Sequence, residues 1–503
     1  MYALKPSLAA AAVAPHAPTA PGFAPVLAAV GVLTLLRLAF LWTSGLGLYA
    51  DEAQYWLWAQ SLDWGYFSKP PMIAWIIAGT TALCGDGEAC LRSASPLFHG
   101  GTALMVWLIA DRIAGARSAW WSALTYATLP AVSLSAGLMT TDVPLLFFWA
   151  VALYAFLRLN DGGGIGWALL LGGAVGLGLL SKYAMAFFVP CAALYLVLTP
   201  GAVRRIGGPK LLIAAALGFL VFAPNLAWNW EHGLATFRHT SANANLGARL
   251  FRPDSLAEFF FSQLAVFGPI LFAYLVWRGR RLIAGLVGRL SDGDRFLVVF
   301  SAPVLLVMLG QSLLSRAHAN WAAIAYIAAT VLVVGWLIGE GRKRLLSASL
   351  ALHLAVTGLL MVGLVALPVA ELPFVGRVVL SGRLLGWDAL GKAIADRIAM
   401  VPGAKLLADD RMLLSSLIYY QAAPLAQIRI WNPHETPENH LELTVSLREG
   451  DTGPFLLIAK RPDPGPLARH FARAVLVERI DIPLGGGVSR SHWLYRLDGF
   501  AGY

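Results

Sequence analysis

Charge is what this sequence has least of. Only 13% of its 503 residues are Asp, Glu, Lys or Arg, against about a quarter in a soluble globular domain. There are three cysteines in the whole chain, and none stands in a CxxC or Cys/His zinc spacing. No half-to-half repeat is visible, whereas transporters commonly carry two similar halves. In the last third no GxGxxG opens a helix, so no phosphate loop is marked there. These gaps set aside a soluble enzyme, a zinc module and, more weakly, a transporter.

What the chain has instead is apolar sequence. It is 58% hydrophobic, and runs of roughly 18 or more apolar residues recur over most of its length, as in a multi-span membrane protein. The runs are continuous rather than alternating, so they read as helices. About eleven spans are expected, near 25–43, 95–111, 119–138, 143–158, 165–181, 183–199, 210–227, 256–277, 296–314, 320–338 and 346–367. The formal net charge is +10. Its basic residues sit in short clusters between apolar runs (Arg204 and Arg205; Arg278, Arg280 and Arg281; Arg342, Lys343 and Arg344). That is the pattern of membrane topology, not of nucleic-acid binding.

The bias puts the N-terminus inside and, with an odd number of spans, the C-terminal end outside. In a bacterium with two membranes, outside is the periplasm and the host membrane is the inner one. Residues 1–24, rich in Ala and Pro, read as a disordered cytoplasmic tail without a cleavage site. Residues 25–367 read as the membrane domain, with a long outer loop at 44–94. Residues 368–503 read as a soluble extracytoplasmic α/β domain, because charge rises and strand-like and helix-like stretches alternate there. Gly485-Gly486-Gly487 reads as a hairpin turn. Cys84 and Cys90 share the outer loop and are either bridged or two separate thiols; Cys191 reads as packing.

The functional signal starts at residues 49–75, YADEAQYWLWAQSLDWGYFSKPPMIAW. An acidic pair, Asp51 and Glu52, opens the stretch, and Lys69 followed by Pro70 and Pro71 closes it. The two prolines forbid a helix through them and fix the lysine where the loop returns to the membrane. Ionisable residues at the mouths of spans are functional candidates by default. Asp142, in TTDVP at the outer junction of the third and fourth spans, is such a candidate, or a helix cap before Pro144. Lys182, in the tight LSKY turn, is either a phosphate contact or a snorkelling lysine. His318 and Asn320 (HANW) offer donors to an anion or a sugar, with Asn320 alone also readable as a cap. Asn225, Trp228 and Asn229 (PNLAWNW) read as sugar contacts or as interfacial aromatics.

Acids and cations from distant parts of the chain thus meet at one membrane face. They suit transfer of a sugar from a lipid-linked phosphate. A carboxylate activates the acceptor hydroxyl, worth about 10²–10⁴-fold, and cations stabilise the departing phosphate.

The acidic pair, the YFSKPP loop end, the TDVP junction and the LSKY turn resemble the GT-C glycosyltransferases. In particular they resemble the broad family of dolichyl-phosphate-mannose protein mannosyltransferases and the bacterial aminoarabinose and galacturonic acid lipid A transferases. PNLAWNW and HANW are similar to the bacterial branch. The likeness covers about residues 25–340 and implies a GT-C fold, a polyprenyl-phosphate sugar donor and inversion at the anomeric carbon. It implies Asp51 as the base or acceptor-positioning acid and Lys69 as the donor-phosphate contact, supported by Glu52, Asp142 and Lys182. Tyr66, Asn229, His318 and Asn320 are the expected substrate contacts. The cofactor stays open: some GT-C enzymes use a divalent cation, for which Asp51, Glu52 and Asp142 are the candidate ligands. The expected acceptor is an envelope lipid or glycan of lipid A or core type, ahead of a protein. The expected partners are this donor, this acceptor and the membrane lipids, without nucleic acid.

Overall fold

A computed structural model describes residues 22–245, 250–285, 290–366, 381–434, 436–485 and 487–503. All but the end of the expected 1–24 tail, the boundary between 367 and 368, and Gly486 of the expected hairpin lie outside these residues. The described residues are mostly helical, with one small sheet near the C-terminal end.

The first half runs α1 (Phe23–Thr43), α2 (Ala50–Ala59), α3 (Met72–Cys84), α4 (Glu88–Arg92), α5 (Ala94–Thr128), α6 (Pro130–Ser135), α7 (Asp142–Asn160), α8 (Ile165–Ser181) and α9 (Phe188–Leu198). It continues through α10 (Ala202–Ile206), α11 (Gly208–Glu231), α12 (Ala235–Ala244), α13 (Pro253–Phe267), α14 (Pro269–Gly285), α15 (Asp292–Val299), α16 (Ala302–Leu314), α17 (Ala325–Gly339) and α18 (Lys343–Ala366). Among the described residues, five stretches are long and apolar enough to cross a membrane: α1, α7, α11, the α15–α16 stretch and α18. Helices α3, α8, α9 and α17 are apolar but shorter.

The span expected at 256–277 is not one straight helix. It is α13 and α14, bent by 119°. Gly268 between them takes φ +87°, and Pro269 has no N–H to continue the helical ladder. The spans expected at 95–111 and 119–138 are two helices that meet at a kink at Gly115 (φ +80°) within α5, and the second continues past Leu129 into α6.

Helix α7 is central. Its apolar window is 67% buried, against 28% for that of α1. Trp149 and Phe156 of α7 pack with Phe188 and Phe300. The outer helices turn apolar side chains away from the protein (Leu35, Leu36, Phe219, Leu220, Leu359 and Val362 are all exposed), as lipid-facing helices do. The one cation of α1, Arg37, is buried and donates to the Ala127 carbonyl at 2.6 Å and to Ser133 at 3.1 Å. The helix breaks at Leu129, before Pro130, so the Ala127 carbonyl lacks its intrahelical donor and Arg37 supplies one.

The tail holds α19 (Ser381–Leu384), α20 (Trp387–Ala399), α21 (Arg411–Tyr419) and α22 (His440–Val445), with strands β1 (Lys405–Ala408), β2 (Ile428–Ile430), β3 (Phe455–Ala459), β4 (Phe471–Gly485) and β5 (Val488–Phe500). The sheet order is β2-β1-β3-β5-β4. The first three strands are parallel, β3 meets β5 antiparallel, and β4–β5 is a long hairpin. The tail docks on the 44–94 region. Tyr420 accepts from the Leu48 amide at 2.9 Å and donates to Glu88 at 3.0 Å, while Tyr419 reaches the Asp86 carbonyl. Cys84 and Cys90 are bonded to each other, closing the α3–α4 elbow that carries Asp86 and Glu88. Cys191 is a buried free thiol.

Candidate active site

Asp51 and Glu52, adjacent in sequence, point to different environments. Glu52 is 1% exposed. Its oxygens accept from Arg92 Nε at 2.9 Å, an Arg92 guanidinium nitrogen at 2.6 Å, the Met139 amide at 2.8 Å and the Tyr49 amide at 2.9 Å. Arg92 also donates to the carbonyls of Leu46 and Gly47, both at 2.8 Å. The pair pins three pieces of backbone, at 46–49, 92 and 139, and every lone pair in reach is used. Glu52, expected as a catalytic candidate, is bound up here as a brace. Glu52→Gln leaves Arg92 buried without its counter-charge and is expected to cost about 3–5 kcal/mol. The thermal unfolding midpoint of the purified protein reads this; an unchanged midpoint would sink the bracing role.

Asp51 is partly exposed and makes one ion pair, with Arg411 at 3.3 Å. It lines a pocket of about 70 Å³ with Gln54, Tyr55, Lys69, His239, Arg411 and His440. Lys69 reaches this pocket because its loop is stiff. Pro70 and Pro71 follow it, and the Tyr66 amide donates to the Lys69 carbonyl at 3.1 Å. Among the described residues no carboxylate pairs with the Lys69 ammonium. Burial lowers its pKa below the usual lysine range, and the Lys182 charge adds to this, against the raising effects of Asp51 and Asp142. His239 is pushed down to about 4 by burial and then by Lys69 and Arg411, so it is neutral near pH 7. Burial and the Asp51 charge raise the Tyr55 phenol well above its ordinary value.

Asp142 is held on both oxygens, by Lys182 at 2.7 Å and by Asn320 at 2.7 Å. Lys182, Asp142 and Asn320 therefore form one chain across three distant segments. His318 stands beside it, edge-on to Trp321 with ring centroids 5.2 Å apart. Asp142 and Asn320 sit at the rim of an apolar cavity of about 710 Å³, lined by Tyr126, Leu129, Leu146, Val266, Tyr326 and Leu360 among others. Most of its wall is aliphatic or aromatic, which suits a hydrocarbon chain.

Tyr66 and Asn229, expected to touch substrate, hold the loop. The Tyr66 hydroxyl donates to the Trp58 carbonyl at 3.0 Å and its ring stacks on Trp58. Thr236 donates to the Tyr66 carbonyl at 2.7 Å. Asn229 is fully buried, donating to the Asn225 carbonyl at 3.0 Å and accepting from the Thr236 amide at 3.2 Å. Asn225 donates to the Trp64 carbonyl at 2.6 Å, and Trp228 donates to Asp63 at 2.7 Å. PNLAWNW is thus a clamp on residues 63–66. It grips so closely that a Cβ at Gly65 would lie 2.4 Å from the Trp228 ring. The candidate metal ligands do not converge. Glu52 is committed to Arg92, Asp142 is shared by Lys182 and Asn320, and among the described residues no three His, Cys, Asp or Glu side chains gather as a ligand set.

Sequence reasoning missed His239 and, above all, Arg411. His239 lies on α12, in a polar stretch that carries no motif. Arg411 opens α21 after its cap Asp410, which accepts from the Leu413 amide at 2.8 Å. An arginine in the first turn of a tail helix gives no sign that it reaches an acid 360 residues earlier.

Comparison with known proteins bears on this arrangement. Residues 68–228 match the family model described as dolichyl-phosphate-mannose-protein mannosyltransferase. The chain is 37% identical over 435 residues to the lipid A galacturonosyltransferase RgtD of Rhizobium johnstonii, covering 84% of this chain and 88% of that one. It is 34% identical over 211 residues to undecaprenyl phosphate-alpha-4-amino-4-deoxy-L-arabinose arabinosyl transferase 1 of Pseudomonas fluorescens, 39% of this chain and 37% of that one. The fold is that of ArnT from Cupriavidus metallidurans, solved with undecaprenyl phosphate, at TM-score 0.62 and 16% identity over 94% of this chain and 97% of that chain. On the extent of its likeness to RgtD, the chain belongs to the GT-C family of multi-pass membrane glycosyltransferases, among the RgtA- and RgtD-like proteins.

Proposed function

We propose that the protein moves a sugar from a polyprenyl phosphate to an envelope glycolipid of lipid A or core type, at the outer face of the bacterial inner membrane. The observation that carries this reading is the meeting of Asp51 and Lys69 at one pocket, with Asp142 at the mouth of a large apolar cavity. The cavity receives the lipid tail of the donor, and the donor phosphate lies between Lys69 and the Lys182 end of the Asp142 chain. Asp51 takes the proton of the acceptor hydroxyl. The oxygen attacks the anomeric carbon from the side opposite the phosphate, and the sugar–phosphate bond breaks with its electron pair going to the phosphate. Lys69 holds the charge that develops there. Attack from the far side inverts the anomeric centre.

The same reading takes the N-terminus as cytoplasmic, about eleven crossings, residues 25–367 as the catalytic membrane domain and residues 368–503 as a periplasmic domain. Its support is that the tail docks on the 44–94 region, while Arg204 and Arg205 lie on the short α10 between α9 and α11, and Arg342, Lys343 and Arg344 stand where α17 gives way to α18. An alkaline phosphatase fusion after Tyr503 is expected to be active; an inactive one, with activity from a cytoplasmic reporter at the same point, overturns the orientation. The function is tested by mass spectrometry of envelope lipids from a deletion strain. One sugar is expected to vanish from a lipid A or core species and to return with the wild-type chain. Loss of a sugar from a protein instead would change the acceptor.

A further inference from the structure

A third pocket, of about 310 Å³, lies beside the start of α21. It is lined by Tyr49, Ala50, Arg383, Trp387, Met412, Lys460, Arg490, Ser491 and His492. Three cations surround it, and among the described residues no carboxylate lines it. Each cation is aimed rather than loose. Arg383 lies over the Tyr49 ring, 5.6 Å from its centroid, and donates to the Tyr49 hydroxyl at 3.3 Å. Arg490 stacks on Trp387 at 3.6 Å and donates to the Leu385 carbonyl at 2.8 Å. Lys460 pairs with Asp410 at 2.7 Å. His492 is 4% exposed, and its Nδ1 has no hydrogen-bond partner among the described residues. Burial, reinforced by the Arg490 charge, pushes it down to about 4, so near pH 7 it is a neutral imidazole. Cations on aromatic walls together describe a seat for an oxyanion.

We propose that this pocket binds an anionic group, phosphate or carboxylate, on the glycolipid acceptor. This deepens the function proposed above and rests on it. The placement relative to Asp51 is what makes the pocket useful. Tyr49 and Ala50 immediately precede Asp51 in sequence, and Met412 immediately follows Arg411, which contacts Asp51. An acceptor held here by its charge presents a neighbouring hydroxyl toward the catalytic carboxylate. The tail then selects which sugar hydroxyl reacts by gripping a charge at a fixed distance from it.

The test is a binding experiment that needs no turnover. Purified full-length protein is titrated with lipid A bearing phosphate, with dephosphorylated lipid A, and with dephosphorylated lipid A carrying an acidic sugar. Wild type is expected to bind at least one charged form about tenfold or more tightly than the neutral form, and whichever charged form does so names the anion. Arg383→Gln with Lys460→Gln, both outside the catalytic pocket, abolishes the preference while binding of undecaprenyl phosphate stays unchanged. Equal binding of all three forms by wild type, or a preference that survives the double substitution, overturns the proposal. So does a loss confined to undecaprenyl phosphate. A wild type that shows the preference but transfers no sugar overturns the glycosyltransferase reading and leaves the anion site standing.

Discussion

Asp51→Asn lowers the rate of sugar transfer by about 10²–10⁴-fold, the contribution of a general base, while the protein inserts and folds as before. The fold is expected to hold because Asp51 is partly exposed and its one ion pair is with Arg411. An asparagine oxygen still accepts from that guanidinium. What it cannot do is take a proton from the acceptor. Glu52, buried against Arg92, and Asp142, held on both oxygens, do not substitute for it. The measurement is the initial rate with purified protein in nanodiscs, beside its thermal midpoint. A variant within a few-fold of wild type would remove Asp51 from the role of base.

Lys69→Ala is expected to lower the turnover rate by about 10²–10³-fold, the loss typical of removing one group that stabilises developing charge. Among the described residues its ammonium has no carboxylate partner, so truncation strands no buried acid and the fold survives. The pH dependence gives a second reading. The Lys69 pKa lies below the usual lysine range, and raising pH through it removes the proton and the positive charge. Affinity for a polyprenyl phosphate should therefore fall on the alkaline side at a lower pH than an ordinary exposed lysine would give, and Lys69→Ala should abolish that fall. Undecaprenyl phosphate binding measured across pH decides it; an identical profile in the variant would assign the phosphate elsewhere.

Much of the architecture is legible in the sequence because each element is announced locally. Continuous apolar runs mark the helices, and the tail strands at 405–408, 428–430 and 455–459 fall where short β-branched and aliphatic stretches stand between turns. The bend at 268–269 was also written locally, in a Gly-Pro pair, but the apolar run across it masks the break. The site is less legible, for a different reason. Residue type shows that Glu52, Tyr66 and Asn229 are costly to bury; it does not show what satisfies them. Glu52 finds Arg92 forty positions on, and Asn229 joins Asn225 and Thr236 in gripping a loop. A buried polar side chain that braces and one that binds look alike until the partner atoms are known. Arg411 is the converse. Nothing local marks it, because its meaning comes from the docking of the tail.

That docking has a practical consequence for building hybrids. The tail is joined to the rest not only through the backbone but through Tyr420 to Leu48 and Glu88, Tyr419 to Asp86, and Arg411 to Asp51 and Gln54. A hybrid that borrows another family member's tail to redirect the acceptor inherits a mismatched seam unless residues 46–92 travel with it. The transferable cassette is therefore split in sequence: a short early insert and a distant C-terminal block that have to be exchanged together.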